Sequence, residues 1–249
     1  MRKKKIIILF SILLILYSFY NLSIWFINKK KTSELQENLK EISNLDQASN
    51  TFENNSDEFL HIDFKELLKK NKDTVAWIKV NGTAIDYPVV QSNDNKYYLN
   101  HSFDNSISQS GWIFSDFRNN LKHLNPNSVI YGHGRVDNTM FGSLRNVINN
   151  DWFEDAENHI IKLSTPSENM IWEIFSVYTI LNESYYITTH FNNSSFQQFI
   201  DRIIKRSIFS FSTTVTIEDK ILTLSTCKND FNQRIVIHAK LIKKETLSE

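Results

Sequence analysis

From Val75 onward the chain is cut into eight short runs rich in β-branched and aromatic residues: 75–80, 85–90, 111–115, 128–133, 159–164, 170–180, 220–227 and 234–242, divided by turn-forming residues. Runs of this length and composition read as strands, and many short strands joined by turns fold as a closed barrel or a sandwich. Asn81-Gly82, between the first two, marks a hairpin-type turn. One segment breaks the pattern. Phe196, Phe199, Ile200, Ile203, Ile204 and Ile208 recur at helical spacing, with Ser195 and Gln198 placed as a capping box. A long helix is therefore expected in the connection between two late strands, where it covers one face of the sheet, walls a groove near the strand ends, or does both.

The N-terminus has a different character. Ile6 to Asn28 carries no charge and is mostly Ile, Leu, Phe, Tyr and Trp, enough to cross about 30 Å of hydrocarbon as a helix of about 20 residues. Arg2-Lys3-Lys4-Lys5 precedes it and Lys29-Lys30-Lys31 follows it. The slightly greater positive charge before the span favours a cytoplasmic N-terminus with the rest of the chain outside. A cleaved signal peptide has the same order of regions, but this apolar run exceeds the usual h-region and no small-x-small site follows it, so an uncleaved anchor is expected. The organisation read from this is a basic tail at 1–5, a transmembrane anchor at 6–28, a linker or stalk at 29–56 and a folded domain at 57–249. In the stalk Leu35, Leu39, Ile42 and Leu45 fall at helical spacing. A second helix is expected from Asp57 to Lys70, with Phe59, Leu60, Phe64, Leu67 and Leu68 on one face.

Charge and composition narrow the function. Lys plus Arg equals Asp plus Glu at 28 each, but setting aside the seven basic residues around the anchor leaves 21 against 28. A nucleic-acid partner is not expected, because its phosphates call for a basic excess. No Gly-rich phosphate loop, His-Glu-x-x-His or cysteine pair occurs, so neither a cofactor nor a metal is expected.

Cys227 is the sole cysteine. It cannot form an internal disulfide, so it is either a small buried hydrophobe or a reagent. It ends the strand pattern Ile221-Leu222-Thr223-Leu224-Ser225-Thr226 just before the polar Lys228-Asn229-Asp230, where a strand tip presents a side chain on a rigid support. A thiol near its reference pKa of ~8.5 is only a few per cent thiolate at neutral pH, so a catalytic cysteine needs a neighbouring base or cation. Of seven histidines, His133 has the most favourable local setting: Val129-Ile130-Tyr131 places it at a strand end, and Gly132 and Gly134 permit close approach. A glycine-flanked histidine is otherwise a turn residue. Arg234 starts the last strand, and a hairpin from Cys227 brings that start beside the strand end. A guanidinium there can donate to a developing oxyanion or a substrate carbonyl; its ordinary reading is a solvated surface charge.

Thr223-Leu224-Ser225-Thr226-Cys227 with Arg234 downstream, together with Tyr131-Gly132-His133-Gly134 and the N-terminal anchor, resembles the sortases, membrane-anchored cysteine transpeptidases of Gram-positive bacteria. The likeness runs from about Asp73 to Leu241. Class B is the nearest, on Tyr97-Tyr98-Leu99-Asn100-His101 with Ser110-Gly111-Trp112-Ile113-Phe114, on Asp137-Asn138-Thr139-Met140-Phe141-Gly142, and on the long helix before the cysteine strand. The resemblance implies a mainly β fold, a closed eight-stranded barrel with N-terminal helices. It also implies roles: Cys227 attacks the carbonyl of a Thr in a C-terminal sorting signal, His133 moves protons, and Arg234 holds the substrate backbone and stabilises the oxyanion. Tyr131, Ser225 and Thr226, with Tyr186 and Ile187, would line the substrate groove. The implied partners are secreted proteins bearing sorting signals and an amine of peptidoglycan or of a pilin. Two rival readings stand beside this one. A papain-like peptidase would place its cysteine at a helix start with the histidine downstream, the reverse of the order here, and a tethered β-domain that scaffolds surface proteins would leave Cys227 buried and inert.

Overall fold

The computed structural model describes residues 2–43, 58–181, 183–227 and 233–247. Eight strands form the sheet: β1 Thr74–Val80, β2 Asp86–Val90, β3 Phe114–Ser115, β4 Asn127–His133, β5 Ile160–Ser164, β6 Glu168–Ile180, β7 Ile221–Cys227 and β8 Arg234–Thr246. They close into a barrel in the order β1-β2-β3-β4-β7-β8-β6-β5, and pairing of β1 with β5 seals it. Most neighbours are antiparallel, but β2 and β3 meet parallel at Val90 and Phe114, and β4 and β7 run parallel along their length. The closed barrel is the outcome expected for strands of this number and length, since closure removes the sheet edges.

Strand β7 lies between β4 and β8, and every position from Ile221 to Thr226 is buried. Burial on both faces is the rule for a parallel-paired central strand. Leu222 and Leu224 point inward with Ile237, Ala239 and Ile174. Ile221 belongs to a second apolar layer, with Phe175, Tyr178 and Val236, on the outer face.

Helix α4 (Asn193–Arg206) roofs that outer layer through Phe196, Phe199, Ile200 and Ile203. Its start differs from the sequence expectation. Asn192 is the cap: its side chain accepts from Ser195 N at 2.8 Å, while Ser195 Oγ accepts from Asn192 N at 3.0 Å. Ser195 is thus the third helical residue, not the cap, because the asparagine three residues earlier satisfies the free amides first. The second helix is likewise shorter than expected. Asp63 accepts from Lys65 N and starts helix α2 at Phe64, running to Lys70; residues 58–63 are irregular, although Leu60 and Ile62 still pack on the core. A five-residue helix α3 spans Asn150–Glu154.

The expected strand at 111–115 is regular only at Phe114–Ser115. Gly111 has φ of 55° and Trp112 N bonds back to Tyr98 O, so the chain there forms a crossing and not a ladder. The β1–β2 hairpin forms as expected, with Gly82 at φ 65° in its turn.

Helix α1 runs unbroken from Arg2 to Ser43. It is the one helix among the described residues long and apolar enough to cross a membrane. Residues 3–22 are exposed, whereas beyond Lys30 the helix lies on the barrel. Leu39 is fully buried and Leu35 partly so, Gln36 Nε2 donates to Asp86 O at 3.2 Å, Lys40 pairs with Asp86 at 3.4 Å and Thr32 Oγ1 reaches Ser110 Oγ at 3.3 Å. Leu35 and Leu39 are thus core residues; Leu45, of the same spacing, lies outside the described residues. Truncating Leu39 to Ala should cost about 2–5 kcal/mol by the usual cavity penalty, visible as a lower urea midpoint for the full chain.

Candidate active site

The three residues singled out from the sequence lie on adjacent strands. In the parallel β4–β7 ladder His133 pairs with Cys227. In the antiparallel β7–β8 ladder Ser225 pairs with Val236; continuing that register by two residues on each strand sets the end of β7 at position 227 toward the start of β8 at Arg234. Residues two apart on a strand share a face, so positions 133, 227 and 234 form one row across three strands. Neighbouring strands are about 4.8 Å apart, and the row therefore spans about 10 Å of sheet. Three segments separated by 94 and 7 residues of sequence meet at one end of the barrel because β4 and β7 are parallel and both finish there.

His133 is half-buried, and its Nε2 lies 2.7 Å from Leu99 O. A carbonyl only accepts, so Nε2 carries the proton and Nδ1 is the nitrogen left to exchange one. The Leu99 carbonyl is delivered by a 3-10 turn at Tyr97–Leu99, and the crossing at Gly111 packs against both. A Cβ at 111 would stand 2.5 Å from Tyr98 O, 2.8 Å from Leu99 O and 2.9 Å from His133 Cδ2. Only glycine tolerates this approach together with the positive φ.

Arg234 Nη1 donates to Tyr186 Oη at 3.0 Å, and Tyr186 Oη lies 3.1 Å from Ser225 Oγ, which donates onward to Thr226 O at 3.3 Å. Tyr186 belongs to a 3-10 turn at Tyr185–Ile187. Arg118 Nη2 donates to Ile187 O at 3.0 Å and to Asp116 Oδ2 at 2.7 Å, with Arg118 Nε on Oδ1 at 2.8 Å. Asp116 is fully buried and also accepts from Tyr131 Oη at 2.8 Å and Asn95 Nδ2 at 2.9 Å. Burial alone would raise its pKa, but the Arg118 fork and the other donors outweigh it and hold the carboxyl below its usual range. The Tyr131 hydroxyl is pushed up by burial and by the Asp116 charge, so it stays protonated as the donor.

The Sortase domain family model matches residues 78–242. Sortase B of Staphylococcus aureus is 40% identical over 184 residues, covering 72% of this chain and 75% of that protein; sortase B of Listeria monocytogenes is 36% identical over 186 residues, covering 73% and 75%. The chain belongs to the sortase family. Among solved structures, a Staphylococcus aureus sortase B–substrate complex superposes with a TM-score of 0.77 at 35% identity, covering 87% of this chain and 99% of that one. Clostridium perfringens sortase B gives 0.68 at 38% identity, covering 73% and 100%. The protein is accordingly a class B sortase, a cysteine transpeptidase with the closed eight-stranded barrel seen in those structures. The papain-like and scaffold readings fall with this.

Of the five residues expected to line the sortase groove, Ile187 is half-buried, whereas Tyr131, Tyr186, Ser225 and Thr226 are buried. Their polar atoms serve the protein itself: Thr226 Oγ1, for instance, accepts from Ile235 N at 2.9 Å and ties β7 to the start of β8. The sequence reading missed Asp116 and Arg118, which sit on a turn between β3 and β4. The short Asp-x-Arg spacing was a signal for a local ion pair, but not for its contact with Ile187. It also missed Leu99, whose contribution is a backbone carbonyl that no side-chain pattern reports.

Two outcomes test this architecture. Gly111→Ala should cost roughly 1–2 kcal/mol from the left-handed backbone alone, and it should also lower turnover by shifting Leu99 O away from His133; thermal unfolding and a transpeptidation assay read the two effects separately. Asp116 has a folded pKa below the unfolded value of ~3.9, so its stabilisation is complete above that value and is lost as pH falls through the folded pKa. Urea titrations from pH 7 to 2 should show a shallower acid-side loss in Asp116→Asn than in the parent.

Proposed function

We propose that Cys227, His133 and Arg234 carry the transpeptidation, on a protein held to the outer face of a membrane by residues 6–28. The observation that supports this is the single row of positions 133, 227 and 234 across β4, β7 and β8. The Cys227 sulfur gives its proton to Nδ1 of His133 and attacks the carbonyl carbon of a Thr in the sorting signal; the C–S bond forms as the carbonyl π pair moves onto oxygen. Arg234 donates to that oxyanion. The scissile C–N bond then breaks, with a proton delivered to the departing amine from Nδ1 of His133, leaving a thioester on Cys227. An incoming amine of the cell wall or of a pilin attacks the thioester, His133 Nδ1 takes its proton, and the thiolate leaves. Transfer prevails over hydrolysis where water is poorly positioned and the thioester waits for an amine.

The substrate side follows the relatives. The solved Staphylococcus aureus sortase B structure is a substrate complex; for this chain the substrate is a secreted protein bearing a C-terminal sorting signal, as the resemblance to sortases implies. Ile187, half-buried on the turn that also carries Tyr186, is the groove residue best placed to touch it. With Arg2-Lys3-Lys4-Lys5 before the span, the N-terminus lies in the cytoplasm and the barrel outside. Enzyme and membrane-held substrate then share one thin layer, which raises their effective concentration.

Residues 32–249 incubated with sorting-signal peptides and an amine acceptor provide the assay. Cys227→Ala should lose at least about 10³-fold in turnover with an unchanged melting temperature, and mass spectrometry should find the acyl-enzyme in the parent only. His133→Ala should lose about 10²–10⁴-fold. Arg234→Lys should lose about 10²–10³-fold, because an ammonium does not reproduce the planar fork. Near-parental turnover in any of the three would remove that residue from the mechanism.

A further inference from the structure

A line of hydrogen bonds runs behind the catalytic row, on the outer face of the sheet, and nothing in the reaction just described uses it. Tyr185 Oη lies 3.5 Å from Tyr178 Oη, which lies 2.8 Å from His238 Nε2. On the other side of the imidazole, Nδ1 lies 2.8 Å from Thr223 Oγ1, which lies 2.6 Å from Asn127 Oδ1. Asn127 Nδ2 then reaches Tyr186 O at 3.1 Å and Thr188 O at 2.8 Å. Asn127, Thr223 and His238 are fully buried and Tyr178 is 2% exposed. Four strands contribute, β4, β6, β7 and β8, and the line ends on the backbone of the turn that carries Tyr186.

Proton counting fixes the direction of every bond. Tyr186 O and Thr188 O only accept, so the amide nitrogen of Asn127 faces them and its oxygen faces Thr223. That oxygen accepts, so the single Thr223 proton points to it. Thr223 Oγ1 is then left to accept from His238, which places the imidazole proton on Nδ1. A neutral ring has no second N–H, so Nε2 accepts from Tyr178, and Tyr178 accepts from Tyr185. All the donors run one way, from Tyr185 to the carbonyls of its own turn. A doubly protonated His238 would break the sequence by setting a donor against the Tyr178 hydroxyl, and burial opposes that form, pushing its pKa down to about 3.

The turn needs this support. Tyr185–Ile187 lies between β6 and α4, outside any ladder, and side chains reach three successive carbonyls around it: Asn127 at Tyr186 and Thr188, and Arg118 at Ile187. Its side chains meet the catalytic row where Tyr186 Oη accepts from Arg234 Nη1. We infer that Asn127, Thr223 and His238 are positioning residues for the transpeptidase, a one-way relay that fixes the Tyr185–Ile187 turn and through Tyr186 aims the Arg234 guanidinium. The inference rests on Arg234 acting at the reacting carbonyl as proposed above. Fixing a charged fork by buried, fully paired polar groups suits catalysis, because the donor then meets the developing oxyanion without reorganising.

Two measurements test the relay. In the unmodified enzyme labelled with ¹⁵N-histidine, NMR should show one imidazole that is neutral between pH 5 and 8 and protonated at Nδ1, its signal lost in His238→Gln; an Nε2–H tautomer or a charged ring at 238 would overturn the relay whatever the activity. Thr223→Val keeps the shape and removes the hydroxyl. It should lower kcat roughly tenfold or more, and in a Tyr186→Phe background, where the link to Arg234 is already cut, it should lower kcat no further. Unchanged turnover in Thr223→Val, or losses that multiply in the double variant, would reduce the relay to a packing feature. If Thr223→Val does not fold, the NMR tautomer decides. The two readings fail separately: an active Arg234→Lys removes the proposed role of Arg234 and leaves the tautomer of His238 untouched.

Discussion

The parallel pairing of β4 with β7 is the constraint on which the rest depends. It brings two strand ends to the same pole of the barrel, so a histidine and a cysteine 94 residues apart stand side by side, and the hairpin-like return into β8 adds the arginine. In an antiparallel β4–β7 pair the end of one strand would meet the start of the other, and His133 would lie beside Ile221 at the far pole. Topology therefore assembles the row, and side-chain chemistry refines it.

Burial of β7 on both faces carries a second requirement. Thr223, Ser225 and Thr226 place hydroxyls where no water reaches, and each such group costs roughly 1–3 kcal/mol if left unpaired. All three are paired: Thr223 to Asn127 and His238, Ser225 to Tyr186, and Thr226 to the Ile235 amide. The polar alternation that sequence inspection reads as a motif is thus also the set of fasteners that hold β4, β8 and the Tyr185–Ile187 turn at fixed distances from the cysteine strand.

Much of this was legible in the sequence, and the exceptions share a cause. Strand existence followed from local apolar patterning, and the strand boundaries moved by only a few residues for most of them. Cys227, His133 and Arg234 stood out because each ends or begins a run. The start of α4 was misread because Asn192 and Ser195 are both good caps and only the fold chooses between them. The helix expected from Asp57 begins at Phe64 because Asp63 stops it, although the apolar spacing of Phe59 and Leu60 continues upstream. Asp116 and Arg118 signalled only their own local pair, and Asn127 and His238 gave no signal, since their partners are the carbonyls of a distant turn and side chains on other strands. His238 sits in an apolar strand and reads as an isolated polar residue until Tyr178 and Thr223 are brought to either side of it.

Helix α1 passes without a break from its exposed apolar half into the half clamped against Asp86, Ser110 and the barrel core. A helix advances 1.5 Å per residue, so the first clamps, Lys31 Nζ donating to Ser106 Oγ and Thr32 on Ser110, come within about one turn of the end of the apolar run. With that run embedded in a bilayer, the barrel rides a stiff mast instead of swinging on a rope. The cleft then keeps one height above the lipid and one heading, and what it can capture is decided by how far a substrate's own chain protrudes.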